Sequence, residues 1–144
     1  MNRRARLLRV IEHDLAEDLD GYERLSQCMT RLYDLLLVRD CPQIDLANRR
    51  IGGLLDAAAL RARRRSKMLQ ALRLDDDSQS MERLFVLLAP ARSAPLLASW
   101  NTLVGRVAHC RQLNERNGRL LAMHSDILGQ LFDRQPASIY QPSI

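Results

Sequence analysis

Three observations predict an all-α fold. Leucine and alanine dominate the apolar residues, aromatic residues make up only 4%, and no run of Val, Ile, Thr or aromatics alternates at period two, so no segment reads as strand. Apolar residues instead recur at three- and four-residue steps along three long stretches. The 6 glycines and 5 prolines are few and mostly clustered, leaving room for uninterrupted helices. Long helices joined by short connections bury their apolar stripes by folding back on one another. The expected architecture is an elongated antiparallel three-helix bundle or coiled coil with one short extra helix. It forms one helical domain over residues 1–133, followed by a flexible tail, 134–144.

The first helix is expected from about Arg4 to Val38, on a stripe that includes Leu8, Ile11, Leu15, Leu25, Met29, Leu32 and Leu36. Gly21 interrupts the pattern and leaves room for a local bend, since glycine costs a helix interior about 1 kcal/mol relative to alanine. Asp40-Cys41-Pro42 ends it, because the residue before proline is pushed out of the α region. A second helix follows Pro42 and extends towards Leu74, with Ile44, Ile51, Leu54, Ala58, Leu69 and Leu72 on its stripe. Gly52-Gly53 reads as a weak point that a closely packed neighbour would tolerate. Asp75 to Ser80 has the composition of a loop able to cap the next helix. Met81 to Leu88 reads as that short helix, and Pro90 and Pro95 bracket a connection. The last helix, Leu96 to Phe132, contains no proline and would be a rod of about 55 Å. A break at Gly118 would divide it into Leu96–Asn117 and Leu120–Phe132.

The chain carries a net charge of +5, nearly all of it arginine. Arg61, Arg63, Arg64 and Arg65 form the densest run. A basic helical nucleic-acid-binding protein is one reading, since phosphate neutralisation needs clustered cations. The run lacks interleaved aromatics and a recognisable binding fold, and acidic residues are interleaved elsewhere, so a solvated helical face is the expectation. The three cysteines, Cys28, Cys41 and Cys110, are widely spaced and suggest neither a zinc site nor a disulfide framework. With no apolar stretch of signal-peptide or membrane-spanning length, the protein is expected to be cytoplasmic.

No catalytic constellation is present. His13, His109 and His124 are far apart and match no ligand pattern, and there is no G-x-S-x-G, Walker loop or G-x-G-x-x-G. Asp75-Asp76-Asp77 lacks the glycine and terminal glutamate of a calcium loop. The expectation is a non-enzymatic protein with no cofactor and no metal.

The informative stretch is Asn114-Glu115-Arg116-Asn117-Gly118, inside an otherwise good helix. Asparagine and glycine are poor interior helix formers, and together they cost roughly 1–2 kcal/mol. Asn114, Asn117, Gly118 and Leu121 fall at i, i+3, i+4 and i+7, offering two amides and a gap for another backbone. Such a face suits a partner helix. Ile139-Tyr140, flanked by Pro136 and Pro142, is the one apolar pair in the tail and reads either as a frayed end or as a short docking motif.

Trp100, the Leu113-Asn114-x-x-Asn117-Gly118-x-Leu120-Leu121 core and Tyr140 resemble the FlgN family of flagellar export chaperones, over roughly Leu96 to Tyr140. The earlier helices agree in general character, as in Ala47-Asn48-Arg49-Arg50-Ile51. The resemblance implies a cytoplasmic chaperone of type III flagellar export. It would bind the C-terminal segments of hook-associated (hook–filament junction) proteins, prevent their premature assembly and deliver them to the export gate. It assigns the client groove to Asn114, Asn117, Gly118 and Leu121, sets Trp100 in the core or at the groove's edge, and docks Tyr140 on the export gate. Members often have glycine after that tyrosine, whereas Gln141 follows here. A structural coiled-coil scaffold is the third reading, and the unburied stripe on the last helix leaves room for a client or for a homodimer.

Overall fold

The computed structural model of the chain describes residues 2–133. Four α-helices follow one another: α1 (Arg3–Val38), α2 (Cys41–Ala71), α3 (Ser78–Leu88) and α4 (Ser93–Asp133), with a 3-10 turn at Pro90–Arg92 leading into the last. No strand occurs among the described residues, and none of the helices is long and apolar enough to cross a membrane. The all-α bundle read from the pattern is what the chain forms.

Local chemistry sets each boundary. Asn2 caps α1, its Oδ1 accepting from the Ala5 amide at 2.8 Å. At the far end Arg39 adopts φ 56°, and the amides of Arg39 and Asp40 donate back to the Leu36 and Leu35 carbonyls. That is the Schellman closure usually given to glycine. Arg73 repeats the device after α2, at φ 58°, so α2 stops at Ala71 rather than continuing to Leu74. Asp77 caps α3, accepting from the Ser80 amide at 2.7 Å, which draws Ser78–Ser80 into the helix where the composition suggested loop. The Ser80 hydrogen bonds hold the Asp77 carboxyl below its ordinary value. The last helix likewise begins earlier than expected, at Ser93. Pro95 fits inside its first turn because the amide it lacks would have no helical partner there.

α4 runs through Gly118 as one continuous helix, the expected form rather than the broken one, and α1 likewise continues through Gly21. No neighbour crowds the Gly52-Gly53 pair, where an added Cβ would meet nothing within 4 Å.

α1 is the central member, with α2 and α4 packed on either side of it and making little contact with each other. Asp14 meets Arg64 and Asp18 meets Arg61, so α2 runs antiparallel to α1. Leu19, Tyr22 and Met29 meet Arg106, Cys110 and Asn117, so α4 runs parallel to it. Two apolar cores result. The lower one joins Ile11 and Leu15 to Leu69, to Met81, Leu84 and Phe85 of α3, and to Trp100 and Leu103. The upper one joins Leu25, Met29, Leu32 and Leu36 to Ile51, Cys110 and Leu113. Short α3 closes the lower end, with Leu84 and Phe85 completely buried.

Candidate functional site

The four residues read as one groove do not share one environment. Asn114 and Gly118 are exposed, and Leu121 is half-buried against the upper core. Asn117 is 3% exposed, and its Nδ2 donates to the Met29 carbonyl of α1 at 2.9 Å. The i+3 step from 114 turns the amide inward, whereas the i+4 step leaves Gly118 outside. Asn117 therefore acts within the fold, on the seam between α1 and α4. Open space surrounds Gly118, where an added Cβ would meet nothing within 4 Å, so no internal packing demands a glycine there. Tyr140 lies outside the described residues.

Two further donors join Asn117 along that seam. Arg106 Nη1 donates to the Leu19 carbonyl at 2.7 Å, and Cys110 Sγ to the Tyr22 carbonyl at 3.3 Å. Burial pushes the Cys110 thiol up, with Glu23 adding to the effect, which keeps the sulfur protonated and able to donate. The Arg116 guanidinium lies over the Tyr33 ring, 3.9 Å from its centroid. These contacts fix the register of α4 on α1 and so determine which of its residues face outward.

The arginine run on α2 behaves differently from the solvated face expected of it. Arg61 is 9% exposed and Asp18 2%. Arg61 Nε donates to Asp18 Oδ1, and Arg65 Nη1 reaches Asp18 Oδ2 at 3.2 Å. Arg64 holds Asp14 through two parallel bonds of 2.8 Å each. The Arg65 guanidinium also lies 5.0 Å from the Trp100 ring centroid. Three of the four cations are thus engaged by carboxylates of α1, and only Arg63 stands clear of the bundle. That arrangement removes most of the patch on which a phosphate-binding reading rested. One signal was present in the sequence: Asp14 and Asp18 fall within the Ile11–Leu15–Tyr22 stripe rather than opposite it.

Sequence reasoning also missed the cleft that remains where α2 and α4 fail to meet. It encloses about 340 Å³. Asp18 and Tyr22 form its floor, Ala58 and Arg65 one wall, and Trp100, Val104, Val107, Ala108 and Arg111 the other. Trp100 therefore belongs to the lower core and to the cleft's edge at once. Burial, with a smaller contribution from Asp18, raises the Tyr22 hydroxyl above its ordinary value. The cleft presents apolar surface and guanidinium groups, and it contains no paired acid and base or activated nucleophile. Among the described residues no His, Cys, Asp and Glu side chains gather as a metal site.

Comparison with known proteins adds two findings. The family model described as FlgN protein matches residues 6–134. A crystal structure described as that of a flagella synthesis protein FlgN from Pseudomonas aeruginosa superposes with a TM-score of 0.69 at 25% identity. That likeness covers 84% of this chain and 90% of the other. No curated protein matches.

Proposed function

The chain belongs to the FlgN family, and from that premise we propose that it is a cytoplasmic flagellar export chaperone for hook-associated proteins. It binds their C-terminal amphipathic segments, keeps those subunits from assembling early, and delivers them to the export gate. Beyond the family itself, the observation that carries this reading is the exposed part of α4. Asn114 and Gly118 face solvent in the middle of a 41-residue helix, and nothing inside the bundle requires that glycine. Helix propensity has been given up there without an internal return, as a surface meant for another backbone would demand.

In this reading Asn114, Gly118 and Leu121 touch the client, and Asn117 takes part from beneath by holding the α4 register through Met29. Tyr140 docks on the export gate, separately from client binding.

Co-expression with hook-associated proteins tests the proposal. The intact chain captures such a client through its C-terminal segment, whereas Asn114→Arg and Gly118→Leu release it without loss of helicity. Failure of the intact chain to capture any hook-associated protein contradicts the function, and unchanged capture by both variants contradicts the site. Tyr140→Ala is expected to leave capture intact and to stop export of the client from the cell.

A further inference from the structure

The cleft between α2 and α4 and the exposed stretch around Gly118 lie on a single stripe of α4. From Trp100 the steps run through Val104, Val107, Arg111, Asn114, Gly118 and Leu121, alternating four and three residues. Positions spaced in this way share one helix face, with only a slow drift around the axis. The lower part of the stripe is the cleft wall, and the upper part is the exposed amide and glycine.

The lower part is also the more apolar. Val104 is 43% exposed and Val107 half-buried, although both have a cleft in front of them. The facing wall of α2 contributes only a methyl group at Ala58 and the Arg65 side chain, already folded over Trp100. Charge in the cleft has one sign. Its carboxylate, Asp18, is buried beneath Arg61 and Arg65, while Arg111 is exposed and has no ion-pair partner among the described residues.

We infer that this cleft seats an amphipathic helix of the client, its apolar face on Val104 and Val107 and an acidic side chain on Arg111. The inference rests on the chaperone reading and extends the client site downward from Gly118. Charge argues against a second copy as the occupant. Each chain carries +5, and two clefts facing each other would oppose one Arg111 to another without a free carboxylate between them.

Fluorescence anisotropy with labelled synthetic peptides covering the C-terminal segments of hook-associated proteins provides the test. Val104 and Ala108 are exposed, so Val104→Arg and Ala108→Arg fold, as thermal melts would verify. Each is expected to weaken peptide binding by about tenfold or more, as for a residue at the centre of an interface. Arg111→Glu weakens binding and flattens its dependence on salt. Leu60→Arg, on a distant face of α2, leaves it unchanged. If the wild-type chain binds a peptide and the three cleft variants bind it equally well, the inference is overturned while the chaperone function stands. If the wild-type chain binds none of the peptides, both fall. Light scattering that shows a dimer dissociated by Val104→Arg would assign the cleft to a second copy and likewise overturn the inference.

Discussion

Between α1 and α2 the polar contacts are carboxylate–guanidinium pairs, Asp14 with Arg64 and Asp18 with Arg61 and Arg65. Between α1 and α4 they are side-chain donors, from Arg106, Cys110 and Asn117, resting on carbonyls of the α1 backbone. The first joint fails abruptly when either partner is lost, because an ion remains buried without its counterion. The second is distributed, and each donor contributes a modest increment. α2 thereby adds a charged clamp to its apolar packing, whereas the polar contacts of α4 are spread along one of its faces, which in the proposed reading leaves the other for a partner.

The largest effect should follow from breaking the clamp. Asp18→Ala strands Arg61 in the bundle and is expected to cost about 3–5 kcal/mol in urea unfolding. A loss below about 1 kcal/mol would show that water reaches Arg61 and that the joint is an ordinary surface pair. On the other seam, Asn117→Ala removes the Met29 bond and some packing, at about 1–2 kcal/mol. If Asn117 were instead a client contact alone, this variant would bind less client with its unfolding midpoint unchanged.

The two glycines sharpen the contrast, since the same substitution should act with opposite signs. Gly118→Ala should stabilise the chain by about 1 kcal/mol, because alanine favours the helix and meets open space. An added Cβ at Gly21 would sit 2.9 Å from Arg61 Nη2, and that guanidinium is pinned by Asp18. Gly21→Ala is therefore expected to give no gain or a net loss, read as a lower melting temperature than Gly118→Ala.

The smallest effect concerns pH. The buried Cys110 thiol is raised above its ordinary value of 9.0, so the folded state binds that proton more tightly than the unfolded chain. Its contribution is fully present below pH 9.0 and declines as pH rises through the folded value. Stability measured across the alkaline range should fall less steeply in Cys110→Ala than in the parent chain.

The helices and their order were legible in the sequence because a three-to-four-residue stripe in Leu-rich segments has few alternatives to a bundle. Helix ends were less so. Asp77 and Ser93 extend α3 and α4 outward through capping and proline geometry, which apolar periodicity does not register. The site was legible in part. Asn114 and Gly118 are exposed as the spacing suggested, whereas Asn117, four residues after Leu113 and three before Leu120, falls on the apolar stripe and turns towards α1. Single-helix geometry could not reveal the cleft, which depends on how α2 and α4 sit apart on α1, with the small Ala58 side chain in its wall. The arginine run misled for a related reason: its partners, Asp14 and Asp18, lie more than forty residues away, and only their place on the apolar stripe of α1 points to them.

The claim that α4 uses one face for the bundle and the other for a client is open to a direct measurement. A photo-crosslinking amino acid would replace Val104, Gly118 or Leu60 in the full-length chain, co-expressed with hook-associated proteins. Crosslinks to the client's C-terminal segment from positions 104 and 118, with none from 60, are the predicted result. Crosslinks from position 60 with none from 104 or 118 would place the client elsewhere and contradict the account.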